Sequence, residues 1–240
     1  MKLSEIYKFL DKLSPFELQE KWDNSGLMVG DMSQEISKIV LSIDVDDALV
    51  DSLQENTLLI THHPIIFGGL KQLDFSSYPS NLLQKMIRKN ISNIAMHTNF
   101  DKTHLNDFVV NEVLGYEIVK KDGFVAYIDV NEDFETFSSK VLKAFNITHT
   151  KSVKCSEFIK TVAVTTGSGC SLIDSIDADC FLTGDIKYHD AMQAKSLKLS
   201  LIDIGHYESE HFFAQILQNH LKNLGLEVII SSSENPFTYI

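Results

Sequence analysis

The chain has 240 residues, 44% hydrophobic and 22% charged, with a formal net charge of −12 at pH 7. Length and composition fit one large globular domain or two small ones and exclude disorder as the main state. The acidic balance and a single arginine, Arg88, argue against nucleic acid as a partner.

No apolar run reaches the ~18–20 residues of a spanning helix, so no membrane partner is expected. Residues 1–14, MKLSEIYKFLDKLS, lack the apolar run of a secretory signal. Cys155, Cys170 and Cys180 are an odd number and form no C-x-x-C pair. The expected state is reduced thiols and the expected location the cytoplasm.

Taken in chain order, Leu3, Ile6, Tyr7, Leu10 and Leu13 repeat at helical spacing. A loop with WDNSGL (Trp22 to Leu27) follows. Lys38 to Ile43 reads as a buried strand, Asp46 to Leu53 as a helix, and Thr57 to Thr61 as a second strand. After a loop with Gly68 and Gly69, Ser80 is expected to cap a helix with Leu82, Leu83, Met86 and Ile87 inward. Ile91 to Met96 is a third strand, and Asn106 to Leu114 reads as helical.

The second half keeps the rhythm. Phe124 to Val130 reads as a strand, and Phe134, Phe137, Val141, Leu142 and Phe145 mark an amphipathic helix. Thr161 to Val164 is a strand ending in a Gly167-Ser168-Gly169 turn. Asp179 to Leu182 and Leu199 to Ile204 are strands, with a helix around His189 to Lys195 between them. Glu208 to Leu224 reads as one long helix stopped by Gly225, before a last strand at Leu226 to Ile230. Strands alternating with helices predict an α/β fold with largely parallel sheets. The break near Gly115 to Gly123 suggests two domains, 1–120 (completed by 226–240) and 121–225.

The histidines carry the functional signal. His62 and His63 follow the strand TLLIT, HTNFD (His97 to Asp101) follows ISNIAM, and GHYESE (Gly205 to Glu210) follows LSLIDI. Ligands collect at the carboxyl ends of strands in open α/β sheets. Imidazole with carboxylate suits zinc, iron, manganese or nickel. His206 and Glu210, four apart at a helix start, can face one way. Five or six donors exceed what one four-coordinate zinc needs, whereas two ions sharing a carboxylate would use them all.

WDNSGL, THHP at Thr61 to Pro64, HTNFD, LTGDIKYHDA at Leu182 to Ala191 and DIGHYESE at Asp203 to Glu210 resemble one family over nearly the whole chain. This is the GTP cyclohydrolase I type 2 homologue family, the Nif-three-like proteins, here in its short form. The resemblance implies two similar α/β domains with a dinuclear metal site in the cleft between them. It implies His62, His63, Asp101, His206 and Glu210 as metal ligands, with His97 beside them or coordinating. It also implies a homo-hexamer shaped as a hollow toroid.

The function expected is hydrolysis of GTP or another anionic nucleotide, with a metal-bound water as the catalytic group. The alternative is an iron or zinc carrier or storage protein without turnover. His189 and Glu208 are further candidates as ligands or proton-transfer groups, with a surface histidine as the other reading of His189. Tyr207 and Trp22 are candidates to stack on a base, with a core or interface anchor as the other reading of Trp22. Gly167-Ser168-Gly169 is either a phosphate cradle or a simple tight turn. Cys170 and Cys180 read as small core residues.

Overall fold

The computed structural model describes residues 1–231 and 234–238. Contacts divide the chain into two units, Met1–Phe100 with Phe213–Ile240, and Asp101–Phe212. Each carries one sheet of a mixed α/β fold. These divisions lie earlier in the chain than the sequence-based boundaries near 120 and 225.

In the first unit, helix α1 (Leu3–Leu13) buries Leu3, Ile6 and Leu10, the positions that share one helical face. Strands β1 (Gly26–Val29), β2 (Lys38–Ser42), β3 (Thr57–Thr61) and β4 (Ser92–Ala95) follow, with α2 (Asp47–Ser52) and α3 (Ser80–Arg88) as crossovers. The Asp46 side chain caps α2 by accepting the Leu49 N–H at 2.7 Å. Ser80 does not cap α3. It is the first helical residue and is buried, and Pro79 holds the cap position.

Strands β2, β3 and β4 pair in parallel, and β3 is buried at every position, as expected for a sheet covered on both faces. Val40 and Leu59 pack with Val50, Leu82, Leu83 and Met86 on one side. By strand alternation Ile39, Leu41, Leu58 and Ile60 point to the other, and all four are fully buried.

The chain enters the second unit along a helical run, 98–114. It alternates α-helical turns, α4 (Thr98–Phe100) and α5 (Asn106–Phe108), with π-helical stretches at Asp101–Leu105 and Val109–Leu114. Strands β5 (Ile118–Asp122) and β6 (Val125–Asp133) form an antiparallel hairpin. Helix α6 (Phe134–Ala144) buries Phe134, Phe137 and Val141. Then come β7 (Ser152–Val153), β8 (Phe158–Val164), β9 (Cys180–Thr183), α7 (Tyr188–Ser196), β10 (Ser200–Asp203) and α8 (His206–Glu210). The sheet order is β5-β6-β8-β9-β10-β7.

Only β8–β9 and β9–β10 are parallel here. The pairs β5–β6, β6–β8 and β7–β10 are antiparallel, which corrects the expectation of a largely parallel second half. For β5–β6 the cause is the turn at Gly123 and Phe124, where Gly123 takes a φ of 58°. It makes a hairpin of the segment that reads from sequence as a domain break.

The expected long helix from Glu208 to Leu224 is two helices. Helix α8 ends at Glu210, and α9 (Phe213–Leu221) begins after a turn at His211 and Phe212 and belongs to the first unit. It leads to β11 (Glu227–Ile230), which pairs in parallel with β2. The first sheet therefore runs β1-β4-β3-β2-β11.

Candidate metal centre

The parallel strands β2, β3 and β4 present adjacent carboxyl ends, and each is followed by a polar residue of one group: Asp44, His62 with His63, and His97. Thr61 Oγ1 donates to the His63 carbonyl at 2.9 Å, closing a turn that breaks strand alternation. Consecutive rings can therefore lie together, with centroids 5.1 Å apart. The His97 ring lies 5.2 Å from that of His62 and 5.5 Å from that of His63. One donor atom from each of the three lies within 4.8 Å of the others.

The orientation of these rings is fixed by what their Nδ1 atoms touch. His62, fully buried, places Nδ1 at 2.9 Å from the Met96 carbonyl oxygen. His63 Nδ1 lies 2.8 Å from Asp44 Oδ1, and His97 Nδ1 lies 2.7 Å from Asp23 Oδ1. Each partner is an acceptor, so each Nδ1 carries the hydrogen, and Nε2 presents its lone pair.

Asp23 is the most constrained of these partners, its side chain fully covered. Besides His97 it accepts from the backbone N–H of Asn24 and Thr98 and from the hydroxyls of Ser25 and Thr98. Burial pushes its carboxyl upward. The hydrogen bonds from His97, Thr98 and Asn24 outweigh burial and hold it well below the usual carboxylate range. It is a fixed negative charge behind the His97 ring at neutral pH.

The second unit repeats the arrangement. Neighbouring parallel strands β8, β9 and β10 lead to Gly167, Asp185 and His206. His206 opens α8 and Glu210 closes it, one turn apart on one face, with Nε2 and Oε2 separated by 3.0 Å. His206 Nδ1 lies 2.7 Å from Asp185 Oδ2. Glu210 is buried against the backbone of Gly167, whose φ is 62° and where a Cβ would stand 2.0 Å from Oε1. Asp101 is buried at the first position of a π-helical stretch, a local winding common at functional sites.

The donor chemistry fits a divalent transition ion. Neutral imidazole, a borderline donor, together with carboxylate, a hard one, suits zinc, iron, manganese and nickel. A metal-ligating histidine characteristically gives its other N–H to a carboxylate or carbonyl, and His62, His63, His97 and His206 all do so.

Other sequence-predicted residues lie elsewhere. His189 is exposed on α7, its ring edge-on to Tyr188 at 5.4 Å, and joins no potential metal-binding group among the described residues. Glu208 folds back over Gly205, where a Cβ would stand 2.0 Å from its Oε2. Tyr207 is half-buried and stacked on His211. Trp22 is 56% exposed, which rules out a core anchor.

The phosphate-cradle reading of Gly167-Ser168-Gly169 is overturned. The Gly167 N–H donates to Ser209 Oγ at 2.9 Å and the Gly169 N–H to Thr183 Oγ1 at 2.7 Å, so the segment is a tight turn with both glycine amides occupied. Cys180 is a buried core residue, and burial pushes its thiol far up. Cys170 is only partly buried. Burial, then the charges of Asp190, Asp203 and Asp185, push its thiol up to about 12. Neither supplies a thiolate at neutral pH. Asp44 and Asp185 are contributors that the sequence reading does not single out, and Asp23, which it reads only as shaping the WDNSGL turn, anchors His97.

A family model described as Duf34/NIF3 (NGG1p interacting factor 3) matches residues 1–236. The chain belongs to the Duf34/NIF3 family. A Campylobacter jejuni relative of this family member, named GTP cyclohydrolase 1 type 2 homolog, is 51% identical over 240 residues, covering 100% of both chains. A Helicobacter pylori protein named GTP cyclohydrolase 1 type 2 is 43% identical, covering 99% of each.

Among solved structures, a hypothetical protein of Staphylococcus aureus superposes on this Duf34/NIF3 chain with a TM-score of 0.86 at 26% identity, covering 100% of this chain and 99% of the other. Reduced HcgD from Methanocaldococcus jannaschii gives 0.84 at 27%, covering 97% and 98%. Among the described residues no helix is long and apolar enough to cross a membrane.

Proposed function

We propose that this chain is a metal-dependent hydrolase that holds two divalent ions and acts on GTP or another nucleotide. The observation that carries the reading is the common anchoring of four histidines by Nδ1, which directs Nε2 of each away from its anchoring group, with His206 Nε2 beside Glu210 Oε2. His62, His63 and His97 would hold metal from the first unit, and Asp101, His206 and Glu210 from the second. That both sets serve one dinuclear centre is what the family resemblance implies. Bound there, the ions supply Lewis acidity toward a phosphoryl, amide or purine carbon centre.

The chain's own groups do the positioning. Asp23, Asp44 and Asp185 fix three imidazoles, and the Met96 carbonyl fixes the fourth. Gly167 makes room for the Glu210 carboxylate. The nucleotide reading draws on the relatives named GTP cyclohydrolase 1 type 2.

Metal-reconstituted protein is expected to retain about two ions per chain by elemental analysis and to turn over members of a nucleotide panel. His63→Ala and Glu210→Gln should lower both quantities while the far-ultraviolet spectrum stays unchanged. Well-folded protein that takes up no metal overturns the proposal. Ions retained without turnover of any nucleotide would favour the carrier instead.

The assembly proposed with this function is a homo-hexamer, on the strength of the family resemblance. Light scattering at micromolar concentration should return six times the chain mass, and a monomer would contradict it.

A further inference from the structure

Two exposed aromatic rings flank the histidine triad. Trp22 is 56% and Phe67 54% exposed. Their centroids lie 6.0 Å apart, and each lies 6.2 Å from the His97 ring, Trp22 at an interplanar angle of 77° and Phe67 at 74°. Among the described residues neither lies flat against another ring, and both are more than half exposed.

Both are tied down from adjacent positions in the chain. Asp23, next to Trp22, holds His97 and Thr98. Asn24 Nδ2 donates to the carbonyl of Ile66, next to Phe67, at 2.5 Å, and lies 3.6 Å from Met28 Sδ. Two adjacent residues, Asp23 and Asn24, thus join the loops that carry the two rings and fix both beside His97. Large apolar rings left in water cost hydration free energy unless something covers them. Here they are held beside a metal-ligand candidate.

We propose that Trp22 and Phe67 form the wall on which the flat heteroaromatic base of the substrate packs, and that they determine specificity for substrates carrying such a base. This rests on the nucleotide reading above. Every nucleobase has a π-face, and stacking on an aromatic side chain is tolerant of base identity. The wall therefore detects the presence of a base rather than its type. GTP and ATP should both engage it, and a polyphosphate without a base should not.

Trp22 is the sole tryptophan, so its emission reports on the wall directly. Metal-loaded protein is titrated with GTP, ATP and inorganic tripolyphosphate, and binding is measured in parallel by equilibrium dialysis. Both nucleotides should change Trp22 emission at concentrations matching their dialysis curves, while tripolyphosphate leaves it unchanged. Phe67→Ala should weaken both nucleotides about ten-fold and leave tripolyphosphate binding unaltered.

Nucleotides that bind in dialysis with constant emission, and equally well to Phe67→Ala, overturn this inference and leave the proposed function standing. Retention of no nucleotide removes the proposed substrate and this wall with it. Emission that shifts on simple dilution of nucleotide-free protein assigns the rings to a contact between copies and also overturns the inference.

Discussion

Gly184→Ala is expected to destabilise the Asp101–Phe212 unit by about 3 kcal/mol. Gly184 follows β9 at the point where the ends of β8 and β10 converge. A Cβ there would stand 2.7 Å from the His206 backbone nitrogen, 2.8 Å from the Gly167 carbonyl oxygen and 2.8 Å from the Gly205 carbonyl carbon. All three are main-chain atoms, so no side chain can rotate aside. Relief requires the strand ends to part, which also strains the 2.7 Å hydrogen bond from the Gly184 N–H to Gly167.

His206 and Gly167 are the same residues that position Glu210, so the variant should lose metal as well as stability. The measurement is the urea midpoint, with Gly68→Ala as control because nothing lies within 4 Å of a Cβ at Gly68. Equal midpoints for the two variants would contradict the packing argument.

Asp23→Asn should weaken metal binding by about 10- to 100-fold and destabilise the metal-free protein by about 1–3 kcal/mol. The side chain it replaces is fully covered and accepts from five donors. An amide keeps one acceptor oxygen but turns an N–H₂ group toward donors that now lack a partner. His97 then loses either its carboxylate or its orientation. Competition against a chelator of known affinity measures the first effect, and denaturant unfolding the second. Asp44→Asn provides the comparison. The Asp44 side chain is 57% exposed, and water can replace its contact with His63, so its effect should be smaller. Wild-type metal affinity in folded Asp23→Asn would show that His97 needs no such anchor.

The metal-ligand candidates were legible because of where strands end. Three buried apolar runs lead to His62, His97 and His206, and within each sheet parallel topology places strand ends side by side, His62 with His97 in the first and His206 with Asp185 in the second. The anchoring acids were less legible for different reasons. Asp44 and Asp185 also follow strands, in LSID and LTGD, and the same rule applied to carboxylates would have found them. Asp23 is 74 positions from its histidine, and in WDNSGL it resembles an ordinary turn residue.

The break between α8 and α9 was hidden because Phe213, Ile216 and Leu217 continue an apolar periodicity that looks unbroken through His211 and Phe212. The β5–β6 hairpin was hidden behind the turn at Gly123 and Phe124. Its flanking strand β5 is mostly exposed and carries Lys120 and Lys121, so it lacks the apolar run by which the other strands were recognised.

The four Nδ1 contacts also bear on the kinetics of metal capture. A histidine side chain in water turns freely about two bonds and exchanges between tautomers. In the folded chain, His62, His63, His97 and His206 already have one ring nitrogen engaged, and folding has fixed both choices before any ion arrives. If an ion binds there as proposed, it would meet nitrogens that need no rotameric search. The rate of its capture would then be set by how fast it sheds its own water, so ions with rapidly exchanging hydration shells should load first, whatever their final order of affinity.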